Sequence, residues 1–550
     1  MVKLTMFIVR LLRKPLIWMG ADFQQLQIIL HTKLTIDFRR GPSMYQASGK
    51  KKRTFGTQLW VFVLFGLFIS FGFISIHNLL LNFTIAYTVF MVMMTTTLIS
   101  EFTSVLFDHQ DNLIILVRPI SNRTLLLSRL LHIQFYVLYI ALAISAMSTV
   151  VTLFKYGALT ALFFIVGMAL STWITLLITT LFYLLVSKVV SGERFKDIIN
   201  YVQILLAIVV MGGYQFLPRM MEVNALKNFT FIIHSWTYLL PPAWLAAWVQ
   251  LSMPAGVTTK VLLLALPAFV FALGGGMLMV RFLSGGFANI LMQSSESSAV
   301  HKKEGIKNTK RASGLYRLFC VSEYEKTGWK LVMSITSRDR KFKQAVYPMY
   351  GFMLVMAFAM LRPNLNDLSG WFQQLRESDR YLMFLFFGFF TTTSITQMQF
   401  TDTPETGWVY RALPITLPGH ILSGAVKAML IKFFLPMYSV LILSVLFIWG
   451  IHILPLMILG AVLIITSTLI TLNIQNTSLP FTQAREMQQK GTNFLKAILG
   501  IIIMGIVVGI VYLASFLPIW CICLFIVLVL VANALVFKII RRTTFKYATI

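Results

Sequence analysis

The chain has 550 residues, 57% of them hydrophobic and only 12% charged, with a mean hydropathy of +0.79. Soluble domains carry roughly a quarter charged residues, so this composition excludes an ordinary soluble enzyme or binding module and identifies an integral membrane protein. The remaining charge is one-sided, 47 Lys and Arg against 19 Asp and Glu for a net +28. Because the bases cluster beside the ends of apolar runs, the excess points to an anionic membrane face rather than to nucleic acid.

Residues 1–20, MVKLTMFIVRLLRKPLIWMG, mix apolar side chains with Lys3, Arg10, Arg13 and Lys14 before reaching Pro15. A signal peptide has an uninterrupted apolar core and a small-residue cleavage site. This stretch has neither, and reads as an amphipathic segment lying on the cytoplasmic membrane surface. In 22–40, Phe23, Leu26, Leu30, Leu34 and Phe38 recur at helical spacing and end in Arg39-Arg40. The plainer reading of that segment is a surface anchor.

After the basic run Lys50 to Arg53, apolar runs of membrane-crossing length follow near 57–76, 84–106, 131–154, 158–187, 198–217 and 261–282. The polar, basic stretch 284–315, including SSESSAVHKKEGIKNTKRASG, reads as a flexible linker. Six further runs fall near 345–361, 381–400, 425–449, 455–474, 495–514 and 518–538. The expected fold is an all-α polytopic membrane protein with about twelve transmembrane helices as two six-helix repeats. Its parts are an amphipathic region (1–56), a first half (57–283), the linker (284–315), a second amphipathic pre-span region (316–344) and a second half (345–550). Lys and Arg near the span ends place both termini in the cytoplasm of a multi-pass cell-membrane protein.

Between the second and third runs, Phe107 to Leu131 reads FDHQDNLIILVRPISNRTLLLSRLL: acids first (Asp108, Asp111), bases last (Arg118, Arg123, Arg129), and Pro119-Ile120-Ser121 between. Acids at a helix start and a Pro at a turn are the physically favoured order. Asp402 to Val426, DTPETGWVYRALPITLPGHILSGAV, holds the same place in the second half. Placing Pro119 on Pro414 also puts Ile120 on Ile415, Leu127 on Leu422 and Ser128 on Ser423, which argues for an internal repeat. The segment 218–259 contains WTYLLPPAWLAAWVQL, too short to cross and aromatic at both ends; it reads as a re-entrant or interfacial element, with an ordinary extracellular cap as the alternative.

No GxxxxGK[ST], HExxH, EF-hand loop or GxSxG is present, so ATP binding, hydrolysis and metal chemistry have no obvious seat on this chain. Cys320, Cys521 and Cys523 give neither a disulfide framework nor a zinc spacing. Polar candidates at membrane depth are Glu101, His132, Lys427, Lys432 and His452, with snorkelling near span ends as their ordinary explanation. Gly274-Gly275-Gly276 fits close helix packing.

Together, an amphipathic helix before the first span (22–40), a helical insert between the second and third (107–131) and a re-entrant element between the fifth and sixth (218–259) resemble the membrane subunit of type V ATP-binding cassette exporters. In the second half, Tyr316 to Lys343, with Trp329, Leu331, Ile335 and Phe342 apolar, is similar to the pre-span helix and Asp402 to Val426 to the insert; the second outer element is missing. The resemblance implies a non-enzymatic transport subunit whose inserts act as coupling helices in grooves of separate cytoplasmic ATPase subunits, two copies per chain, which hold the ATP and Mg. It makes Asp108, Asp111, Arg118, Pro119, Ile120, Pro404, Glu405, Trp408, Arg411, Pro414 and Ile415 the candidate contacts. The other expected partners are membrane lipids, with no nucleic acid and no cofactor on the chain itself.

Two other classes share the span count. Major facilitator transporters carry a Gly-rich basic motif with an Asp in the loop between their second and third spans, whereas this loop, DHQDNLIILVRPISNR, has no glycine. A lipid scramblase or membrane enzyme predicts polar clusters at one depth, and the sequence has none.

Overall fold

The computed structural model describes residues 2–40, most of 59–70, 78–106, 118–190, 193–220, 233–253, 257–283, 315–361, 368–415, 417–474, 478–485 and 492–544. The chain divides into two units, Met1–Lys303 and Glu304–Ile550. Both are helical, with one two-stranded pairing in the second. Among the described residues seven helices are long and apolar enough to cross a membrane.

The first unit begins with α1 (Val2–Leu11), α2 (Arg13–Trp18) and α3 (Phe23–Arg40). Leu26, Leu30 and Leu34 are buried together with Leu127, Leu131 and Phe135, so the expected apolar stripe of α3 is its packing face. The side chain of Phe38 lies outside the described residues, as does most of the run 57–76. The following helices are α4 (Leu79–Leu106), α5 (Asn122–Tyr156), α6 (Ala158–Val189), α7 (Glu193–Met220) and, after a short 3-10 turn, α8 (Pro241–Gln250) and α9 (Thr259–Leu283); of these, α4, α5, α6 and α9 are long and apolar enough to cross a membrane. Helix α5 has 35 residues, about 50 Å at 1.5 Å per residue, against an apolar layer of about 30 Å. It is longer than the layer is thick; its first turn carries exposed Arg123, and exposed Arg118 lies just before it. Ser121 caps it, accepting from the Thr124 amide at 3.2 Å. Gly157, with φ at 92°, turns α5 into α6.

Helix α8 is the heart of the element expected at 218–259. Ala243, Leu245, Ala246, Ala247 and Val249 are fully buried, and the helix packs against α4, α6 and α9. Its buried face is thus closed by three helices of the same unit.

The second unit has α10 (Leu315–Phe319), α11 (Glu323–Arg338), α12 (Arg340–Leu361) and α13 (Leu368–Arg376). The pre-span segment 316–343 is therefore three pieces. Asp339 breaks it: its backbone is extended and its Oδ1 accepts from the Phe342 amide at 3.1 Å, capping α12. The run 381–400 is a 3-10 helix, Asp379–Phe387, continued by α14 (Gly388–Gln397). After a short helix, α15 (Val409–Ala412), come α16 (Gly419–Met429), a π-helical turn at Leu430–Phe434, α17 (Leu435–Trp449), α18 (Leu454–Ile474), α19 (Thr492–Ala514) and α20 (Ile519–Arg541). Gly450, with φ at 91°, ends α17 as Gly157 ends α5.

Candidate functional site

The insert of the second unit is built on a pinned frame. Strand β1 (Phe400–Thr401) runs parallel to β2 (Gln483–Ala484). The Phe481 amide donates to Met398 O at 2.8 Å and the Gln483 amide to Gln399 O at 2.9 Å. Beyond β1, Pro404 opens a 3-10 turn through Trp408, where a missing N–H costs nothing, and α15 follows. Tyr410 fastens this piece from below, donating to Pro480 O at 3.0 Å; burial pushes its phenol well up. The outward side carries Glu405, Trp408, Arg411, Leu413 and Pro414, with Trp408 65% exposed. Isolated exposed apolar residues are ordinary, but an exposed Trp, Leu and Arg within six residues have the composition of an interface anchor.

Of the sequence-predicted contacts, Glu405, Trp408, Arg411 and Pro414 are thus exposed together, while Pro404 is half-buried and Ile415 is buried and points inward. In the first unit Arg118 and Pro119 are exposed and Ile120 packs against the core; Asp108 and Asp111 lie outside the described residues. The two prolines sit in matching turns. The Ile120 amide donates to Arg118 O at 2.7 Å, and the Ile415 amide to Leu413 O at 2.7 Å, each a three-residue turn centred on proline. The aligned Ser128 and Ser423, and Leu127 and Leu422, are buried in both units.

Helix α11 supports the insert from the side. Glu325, Gly328, Trp329, Val332 and Thr336 form its buried stripe, and it packs on α16. The backbones approach closely: a Cβ on Gly328 would lie 2.3 Å from Ile421 O, and one on Gly424 2.0 Å from Glu325 O. Glycine is required at both.

Between these helices lies a carboxylate with four hydrogen-bond donors. The Glu325 carboxylate is fully buried. It accepts from the Val321 amide at 2.9 Å, Ser423 Oγ at 3.0 Å, Lys427 Nζ at 2.9 Å and Arg541 Nε at 2.5 Å. Burial alone would push this carboxyl up; the Val321 amide, Lys427 and the Ser423 hydroxyl outweigh it and hold it below its ordinary value. Ser322 caps α11 and bonds His420 Nδ1 at 3.1 Å. The end of α20 joins in, since the Gly419 amide donates to Thr543 O at 3.2 Å. At the other end of α11, Asp339 pairs with Arg485, whose Nε lies 3.2 Å from Asp402 Oδ1, and Lys341 Nζ lies 3.0 Å from Asp402 Oδ2. The insert is therefore held at both ends by charge.

Of the polar candidates at membrane depth, Lys427 belongs to this knot, and Lys432 reaches back to Thr336 Oγ1 at 2.7 Å and Ser337 Oγ at 2.8 Å. His132 is buried and His452 exposed; the side chain of Glu101 is outside the described residues. Sequence reasoning missed Glu325, Asp339, Arg485 and Arg541. One signal was available for the first, the S-x-x-E pattern Ser322 to Glu325 of a helix start. No group of three metal-ligating side chains occurs among the described residues. Comparison with family models, with curated proteins and with solved structures finds no match for this chain.

Proposed function

We propose that this chain is the membrane subunit of an ATP-driven exporter of the ATP-binding cassette class, built from two six-span halves and powered by two separate ATPase subunits. The observation that carries the reading is the second insert: exposed Trp408, Arg411 and Leu413 on a loop held at Asp402 by Lys341 and Arg485 and followed by α16, which the buried Glu325 ties to the pre-span helix and to the last span. A loop that must pass mechanical work into the membrane needs both an accessible anchor and a stiff mounting. The matching proline turns at Pro119 and Pro414, and the matching glycine turns at Gly157 and Gly450, support the repeat. With the basic span ends inside, both inserts face the cytoplasm. ATP-driven closure of the ATPase subunits draws the inserts together, and the halves rock as rigid bodies to open the pathway outward.

The test is a charge reversal on both inserts, Asp108→Arg with Glu405→Arg. The expected result is loss of a co-purifying soluble ATPase from a chain that still melts as the unmodified protein does. Retention of the ATPase together with normal transport would remove the inserts from this role.

A further inference from the structure

Helices α1 and α2 have two apolar faces, and only one is used by the protein. Thr5 and Val9 are fully buried, Met6 and Leu16 nearly so, and Thr5 Oγ1 bonds Tyr139 Oη on α5 at 2.7 Å. The helices are thereby fixed beside a span. The opposite face of α1 exposes Leu4 (59%), Phe7 (68%) and Leu11 (76%), a stripe at i, i+3 and i+7, and α2, after the turn at Leu12, adds exposed Trp18 (71%). Lys3, Arg10 and Lys14 are exposed along its margin, and Arg13 stacks on the Phe23 ring at 5.6 Å. Arg123, from the start of α5, lies against Gly20 and adds a fifth positive charge from a second element. No Asp or Glu occurs before Asp22, whose Oδ1 is engaged by the Gln24 amide at 2.9 Å. Exposed apolar surface edged by bases that have no acidic partner shown among the described residues, and attached to the side of a span, complements a bilayer interface rich in anionic headgroups.

We infer that the stripe Leu4–Phe7–Leu11, with Trp18, inserts into the headgroup boundary of the bilayer and that Lys3, Arg10, Arg13 and Lys14 bind anionic lipid there, so that insertion depends on the lipid charge. This inference requires only the membrane spans and is independent of the exporter reading.

The experiment uses the full chain with its three cysteines replaced by Ala and Phe7→Cys carrying an environment-sensitive fluorophore. It is reconstituted into vesicles of phosphatidylcholine alone or mixed with phosphatidylglycerol. The expected result is apolar, bilayer-quenchable emission in the mixed vesicles and largely aqueous emission in phosphatidylcholine alone. Changing Lys3, Arg10, Arg13 and Lys14 to Gln should lower the inserted-to-solvent ratio by about fivefold per charge. Raising salt on the labelled protein without these Gln changes should move the probe in the same direction, which preserves the test if the Gln variant folds poorly. Emission that is the same in both lipids, or that shifts only when a soluble protein is added, would overturn the inference.

Discussion

Arg541, the last residue of α20, places its Nε 2.5 Å from Oε1 of Glu325, a carboxylate on a helix 216 residues earlier. Lys427 of α16 takes the other oxygen at 2.9 Å. Three helices remote in sequence thus meet at one buried charge beside the insert. The same carboxylate therefore links α16 to the pre-span helix and to the last span.

Removing the charge should loosen all three. Glu325→Gln keeps the shape but leaves Lys427 and Arg541 uncompensated, and breaking a pair at a buried site costs roughly 3 kcal/mol. Arg541→Gln, at the partly exposed end, should cost about 1 kcal/mol. Thermal unfolding of the purified protein in one detergent should rank the unmodified chain above Arg541→Gln and that above Glu325→Gln.

The same carboxyl sets an acid limit. Its folded value lies below the ordinary carboxylate value of about 4.3, so its pairing energy is fully present above that value and is lost as pH falls through it toward the folded value. The unfolding midpoint of the unmodified chain should therefore drop on acidification in that window more steeply than that of Glu325→Gln. Parallel curves would mean that other carboxylates set the limit.

Two glycine positions should be intolerant and two tolerant. Gly424→Ala and Gly328→Ala drive a methyl into a carbonyl oxygen of the facing helix at 2.0 and 2.3 Å, and should abolish or severely lower the yield of folded protein. Gly505→Ala and Gly509→Ala face open space inside α19 and should be neutral or stabilising by up to about 1 kcal/mol. Equal behaviour of the two pairs would contradict the close approach of α11 and α16.

Surface and mounting separate at the insert. Trp408→Ala should change stability by less than about 0.5 kcal/mol while weakening partner binding at least about tenfold. Tyr410→Phe, which loses the bond to Pro480, should instead cost about 1 kcal/mol of stability and affect binding only indirectly. Thermal unfolding and a binding titration on the same preparations distinguish the two.

What was legible in the sequence was local. The Leu26–Leu30–Leu34 stripe and the short aromatic helix at 241–250 both follow from periodicity, span length and turn residues within a few tens of positions. The break at Asp339 was missed because a capping aspartate on a polar helix resembles any other surface acid until the next helix is seen to start on it. Glu325 was missed for a different reason. Its partners Ser423, Lys427 and Arg541 lie 98, 102 and 216 residues away, and no helical spacing links them. Lys427 stood out as a lysine inside an apolar run, but snorkelling is the default for such a residue, and only the fold shows that it turns inward to a carboxylate. The alignment of Pro119 with Pro414 gains from the structure a shared backbone turn, which the tripeptide match alone could not supply.

The central claim is that the insert bearing Trp408 docks a separate ATPase. The most direct measurement is mild-detergent purification of the chain from its native membrane, beside the Trp408→Ala variant, with mass spectrometry of the proteins that accompany each. The account predicts a soluble chain with a phosphate-binding loop at about two copies per membrane chain, lost or strongly depleted from the variant. A chain that reproducibly purifies alone and transports without ATP would contradict it.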